Sequence, residues 1–141
     1  MQKITIVAVG NLREKFFKEA YNEYAKRISK FAKLEVIEIK ETNRPKEGEE
    51  ILKHLSKFPR AYLFALEIKG ECLTSENFSK LIKDKSHIVF IIGGSEGLEK
   101  IKAAYPISFG AITFPHQLMR VVLSEQIFRA FKILNGEKYH K

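Results

Sequence analysis

The chain has 141 residues, 45% of them hydrophobic, with 11 Phe, 5 Tyr and no Trp, which is the size of one domain with enough apolar surface to build a core without staples. The single cysteine, Cys72, excludes an internal disulfide and fits a reducing compartment. Lys and Arg outnumber Asp and Glu by 25 to 17, a net charge of +8; this favours a polyanionic partner such as RNA or DNA, although lysines set beside Glu, as in KEGEE and EKIK, also serve solubility alone.

KITIVAV (3–9) is a short run rich in β-branched residues that stops at Gly10, the pattern of a strand. It is too short for a signal peptide, and no run approaches the ~18 apolar residues of a membrane span, so a cytoplasmic protein is expected. Phe17, Ala20, Tyr21, Tyr24, Ile28 and Phe31 recur at helical spacing and predict a helix over 12–32. LEVIEIK (34–40) alternates as a strand does, TNRPKEGEE reads as a polar loop, and a short helix is expected over 49–57. RAYLFALEI (60–68) and SHIVFII (86–92) are nearly continuous in apolar residues, as buried parallel strands are. Thr74 or Ser75 caps a short helix between them, another is expected over 98–104, and PISFGAI (106–112) is a weaker strand. The last helix is predicted over 115–135, with Pro115 in its first turn and Gly136 beyond its end. Strands alternate with helices throughout, so the expected fold is a single α/β domain spanning 1–141, its mainly parallel sheet flanked by helices.

In such sheets ligands sit beyond the carboxyl ends of the strands, which directs attention to LEIKGE, GGSEG and FGAITFPH. The glycines of GGSEG (93–97) let backbone amides approach a ligand, but the stretch is neither a dinucleotide-binding fingerprint nor a phosphate-binding loop, and a tight turn explains it without a ligand. On the last helix, Leu123, Ile127, Ala130 and Leu134 form one stripe, which Val121, Phe128 and Phe131 widen. Glu125, Arg129 and Lys132 gather opposite, with Glu125 placed to pair with Arg129 at i,i+4. The apolar arc is broad enough to face the sheet and a second copy at once; full burial in a monomer is the competing explanation. Arg120 falls within that arc, where a guanidinium needs a carboxylate, a phosphate or a partner subunit. Glu67 after a buried strand is an acid or acceptor candidate, against the plainer reading of a solvated Glu. His116 and His140 taken singly read as surface or capping residues, and no His/Cys cluster has metal-ligand spacing, so no metal is expected.

LEIKG, IIGGSEG, FGAITFPHQLMRVVLSEQIFRAFKI and the final GEKYHK, in this order and at nearly this spacing, resemble the RlmH (formerly YbeA) family of bacterial 23S rRNA pseudouridine 1915 N3-methyltransferases, within the SPOUT class of S-adenosylmethionine-dependent enzymes. The resemblance covers essentially the whole chain and is densest over 89–141. It implies a C-terminal trefoil knot, which no sequence pattern reveals and general topology rules disfavour. It also implies a cytoplasmic homodimer with the last helix in its interface, acting on the ribosome and its 23S rRNA, with the assembled 70S particle preferred. A bent methyl donor held mostly by backbone groups maps onto Leu66, Gly93, Phe109, Gly110, Ala111, Ile112, Thr113 and Phe114. The chain departs from the family pattern at Glu67, where Asp is frequent, and in a shorter stretch between GGSEG and FGAITFPH.

The resemblance also gives the final residues a role. Tyr139 is expected to stack on a flipped base, and His140 to accept the N3 proton or bind a base carbonyl; Lys141, with His116, Arg120 and Arg129, is expected to contact RNA or the dimer interface. Two alternatives stand beside this reading: a ribosome- or RNA-binding module without catalysis, and a knotted methyltransferase acting on tRNA.

Overall fold

The computed structural model describes residues 1–141. Nine elements follow one another: β1 Gln2–Val9, α1 Lys15–Ile28, β2 Ala32–Ile39, α2 Arg44–Leu55, β3 Tyr62–Cys72, α3 Ser75–Ile82, β4 His87–Ile92, β5 Tyr105–Ser108 and α4 His116–Leu134. The strands form one sheet in the order β2-β1-β4-β3-β5, and every pairing is parallel.

Side-chain alternation along the central strands makes two cores. Ile4, Ile6 and Ala8 of β1 point to the same side as Ile88, Phe90 and Ile92 of β4, and there they meet Ile28 of α1, Phe78 of α3 and Leu123 and Ile127 of α4. Val7, Val9, Val89 and Ile91 point the other way, against Ile51 and Leu55 of α2. The sheet is thus covered by helices on both faces, which is why its middle strands read as unbroken apolar runs.

Several boundaries differ from the sequence-based expectation, each for a local reason. The predicted 98–104 helix does not form. Ile101 and Ala104 are instead buried in the α2-side core, with the Ala104 amide bonded to the Ile101 carbonyl in a single turn. Seven residues are too few to sustain a helix without strong packing along one face, and this segment must carry the chain past β3 to the sheet edge. Conversely, α2 begins at Arg44, inside the stretch that reads as a loop. The Asn43 side chain caps it by accepting from the Lys46 amide at 3.0 Å, Pro45 sits in its first turn, and the Glu47 carboxylate accepts from the Thr42 amide at 2.7 Å. The first helix is trimmed to Lys15–Ile28, and β5 ends at Ser108 rather than 112.

The strand read as 60–68 extends to Cys72 through an irregularity: both Leu66 and Glu71 lie opposite Ile107 of β5, so Glu67–Gly70 form an excursion between them. Gly70 makes that excursion possible. A Cβ there would lie 2.6 Å from the backbone nitrogen of Ile107, so the two main chains touch where only glycine fits.

Candidate active site

A cavity of about 900 Å³ opens where the carboxyl ends of β3, β4 and β5 meet the start of α4, the position at which open parallel sheets bind ligands. Seven of the eight positions expected to hold a methyl donor line it: Leu66, Gly93, Phe109, Gly110, Ile112, Thr113 and Phe114. Ala111 does not; it is exposed on the lip between them. Glu67, Ile68 and Lys69 reach the cavity because the excursion in β3 throws them over it. At Gly93 an added Cβ would stand 2.7 Å from the Leu98 nitrogen and 2.8 Å from the Gly97 carbonyl carbon, so the chain leaving β4 folds back onto itself at a point where only glycine fits. Ile112 stands 72% exposed at the mouth, apolar surface with nothing of the chain's own to cover it.

The start of α4 brings His116 and Met119 into the lining. Beside them lies a polar cluster that sequence reasoning missed. The Ser95 hydroxyl donates to Glu41 at 2.7 Å, and Arg13 stands 3.6 Å from the same carboxylate. The Ser95 hydrogen bond, with smaller contributions from His116 and Arg13 against the cost of desolvation, holds the Glu41 carboxyl below its ordinary range. Arg44 of α2 also reaches the wall and donates to the Leu98 carbonyl at 2.8 Å, tying α2 to the segment after Gly97. None of Glu41, Ser95 or Arg44 stands out in the sequence, because their meeting brings the connection into α2 against the segment after β4.

Arg120, expected to contact RNA or a partner, is turned inward. It is 3% exposed, donates to Glu38 of β2 at 2.7 Å and to the Gly10 carbonyl after β1 at 2.9 Å, and leaves only its Nε without a partner. Of the candidates considered for it, a carboxylate is the one found, so the expectation of an RNA contact is corrected: the guanidinium is a strut inside the chain. Arg129 pairs with Glu125 at 2.8 Å, as its spacing implied, and is partly buried by that pairing. Lys141 is exposed.

The final residues are docked. The Tyr139 hydroxyl donates to Glu125 at 2.8 Å, its ring meets Phe128 edge-on at 4.9 Å, and the Arg129 guanidinium lies 4.9 Å from its centroid. Desolvation, then the hydrogen bond to Glu125, pushes the Tyr139 phenol up to about 12, so it is a neutral donor and not a base at ordinary pH. His140 Nδ1 lies 3.0 Å from Arg129 and Nε2 lies 3.2 Å from Glu76 of α3. An arginine only donates, so Nδ1 accepts and Nε2 carries the proton toward Glu76. Neither Tyr139 nor His140 lines the large cavity.

The match to known proteins settles the class. Residues 2–140 match the family described as "Predicted SPOUT methyltransferase". The chain belongs to the SPOUT methyltransferase family. Two relatives show the extent of the likeness. The "Ribosomal RNA large subunit methyltransferase H" of Carboxydothermus hydrogenoformans is 46% identical, over 99% of this chain and 99% of its own length. The protein of the same name from Clostridium botulinum (strain Okra / Type B1) is 45% identical, over 98% of this chain and 99% of its own. The carboxyl-end cavity is therefore the cavity of a methyltransferase. No helix is long and apolar enough to cross a membrane.

Proposed function

We propose that the chain transfers the methyl group of S-adenosylmethionine to N3 of a pseudouridine, position 1915, in the 23S rRNA of the large subunit, working as a cytoplasmic homodimer on the assembled 70S ribosome. The observation that carries this reading is the cavity itself. Seven donor-binding positions named by the resemblance, drawn from three separate stretches around Leu66, Gly93 and Phe109–Phe114, converge on one space. The names of the relatives support rRNA as the acceptor, and the net charge of +8 supplies the salt-sensitive attraction to phosphate. The trefoil knot implied by the resemblance is part of this proposal.

The residues present fit the donor. About 900 Å³ lies within the usual size of a small-molecule site. Leu66, Ile68, Phe114 and Met119 supply apolar walls for an adenine ring, while the main chain at Gly93 is free to hydrogen-bond a ligand and that at Gly110 is held by the Ser108 hydroxyl, which donates to its carbonyl at 2.9 Å and accepts from its amide at 3.1 Å. When bound, S-adenosylmethionine supplies a methyl carbon on a sulfonium, onto which the N3 lone pair closes while the carbon–sulfur electron pair returns to sulfur. The chain's own task is to hold the imide in line and take its proton. In this proposal His140 is the acceptor, through the Nδ1 that Arg129 now occupies. Tyr139 stacks on the base through the ring face that Arg129 now covers. Both roles require the tail to part from Arg129 as RNA enters, and Arg129, His116 and Lys141 then face phosphate.

The test is transfer of radiolabelled methyl groups to 70S ribosomes, separated subunits and free rRNA that all lack the modification, with the full chain and with residues 1–138. Label in the large-subunit rRNA of whole ribosomes, lost on truncation, is the expected result. Donor binding without label in any of these acceptors would redirect the search to tRNA. Failure to bind the donor at all would leave an RNA-binding module and sink the proposal.

A further inference from the structure

We propose that a second, smaller cavity next to the first receives the acceptor base; the inference rests on the methyl-transfer reading and deepens it. This cavity is about 180 Å³ and is lined chiefly by Phe78, Phe109, Phe114, Ser75, Val122 and Gln126. Phe109 and Phe114 also line the donor cavity, so the two spaces share a wall. The volume suits one flat pyrimidine ring and leaves sugar and phosphate outside, the arrangement that enzymes acting on an unstacked nucleotide require.

Its walls have the chemistry of a base site. Phe78 and Phe109 meet edge to face, with centroids 5.4 Å apart and planes at 86°, and aromatic faces are what unstacked bases settle against. The polar side is built by Gln126. Its carbonyl accepts from the Ser75 hydroxyl at 2.7 Å, and its amide nitrogen donates to Glu125 at 3.0 Å. A carboxamide nitrogen has two hydrogens, so one remains to donate to a base carbonyl. A donor at a carbonyl flanking N3 favours the imide anion that attacks the methyl group.

The placement explains how a tail that avoids the donor cavity can serve it. Glu125, which holds Gln126, also accepts from the Tyr139 hydroxyl at 2.8 Å. Glu76, the neighbour of Ser75 in α3, holds His140 at 3.2 Å. The small cavity is thus bordered by donor-cavity residues on one side and is one side chain removed from Tyr139 and His140 on the other. Recognition there is of an imide carbonyl: a ring that lacks one, such as adenine, leaves the second Gln126 amide hydrogen unpaired.

The test uses the full chain, isotopically labelled and saturated with S-adenosylhomocysteine, titrated with pseudouridine 5′-monophosphate and, separately, with adenosine 5′-monophosphate while amide resonances are followed by NMR. The pseudouridine nucleotide is expected to shift the Gln126 side-chain amide and the backbone amides of Ser75, Phe78 and Phe109, and the purine nucleotide to leave them in place. Val122→Trp, which fills the cavity, is expected to raise the KM for unmodified ribosomes at least about tenfold with donor affinity unchanged. Gln126→Leu replaces it if Val122→Trp does not melt cooperatively. Shifts that map elsewhere, or a wild-type acceptor KM in the filled variant, overturn the proposal. So does a filled variant that sediments as a smaller species while the nucleotide shifts nothing, since the cavity would then belong to a contact between copies. Calorimetry with S-adenosylmethionine separates the two readings: no donor binding defeats methyl transfer itself, whereas donor binding without nucleotide shifts defeats only the base site.

Discussion

Arg120 shows how a single side chain can be read correctly for its need and wrongly for its purpose. A guanidinium within an apolar arc requires an acceptor, and the interior provides Glu38 and the Gly10 carbonyl. The pair is lopsided, because the Arg120 side chain is 4% exposed and that of Glu38 is 46% exposed. Removing the cation leaves a carboxylate that water can solvate, whereas removing the acid leaves a buried charge with one carbonyl. Arg120→Met is therefore expected to cost about 1–3 kcal/mol and Glu38→Ala about 3–5 kcal/mol, as measured by urea unfolding; the reverse order would show that the pair does not carry its charge as described. Tyr139 offers a second test at this scale. Its folded-state value of about 12 lies above the ordinary 10, so the folded chain holds the phenolic proton more tightly. The resulting stabilisation is complete below pH 10 and is lost as pH rises from 10 toward 12. Tyr139→Phe should remove one late-titrating phenol from the absorbance titration and should weaken the fall in melting temperature across that window. Tyr21, which burial also pushes up to about 12, and Tyr105, raised by its hydrogen bond to Glu71, supply the remaining late components.

Among the elements, α2 and the segment after β4 part from their sequence signals in opposite directions. In TNRPKEGEE the polar residues are the capping apparatus of a helix: Asn43 caps, Pro45 opens the first turn and Glu47 reaches back to Thr42. Asn43→Ala is expected to cost about 1 kcal/mol in stability. The 98–104 segment carries Leu98, Ile101 and Ala104, but these apolar residues are used as anchors for a crossing chain rather than as a helix face. Its approach is set by Gly93. Gly93→Ala would drive a methyl group against the Leu98 nitrogen, so donor affinity is expected to fall at least about tenfold. Calorimetry that finds unchanged affinity would show that the turn does not shape the site.

For the molecule as a whole, the all-parallel sheet brings the loops after β3, β4 and β5 to one edge, and this makes a site from residues as far apart as Leu66 and Met119. The net charge of +8 acts at the same scale. Affinity for unmodified ribosomes is expected to fall linearly on logarithmic axes as salt is raised, while donor affinity, which rests on a largely apolar cavity, should change little. A donor affinity that tracked salt equally would argue against this division. Sedimentation equilibrium of the full chain is expected to give twice the monomer mass, in keeping with the half-exposed apolar residues along α4.

The sequence by itself determined the alternation of strands and helices, the buried strand β4, the long last helix and the Glu125–Arg129 pair, because each depends on neighbours within a few residues: side-chain period, capping and i,i+4 reach; β3, expected to be buried as well, buries only Phe64 and Ala65. It also marked the stretches that surround the carboxyl-end cavity, since their glycines stand where strands end. Only the tertiary structure decided which groups meet. That Ser95 finds Glu41 and that Arg120 finds Glu38 are consequences of the order β2-β1-β4-β3-β5. Contacts across 50 to 80 residues are set by how the sheet is threaded, and local propensity carries no record of that threading.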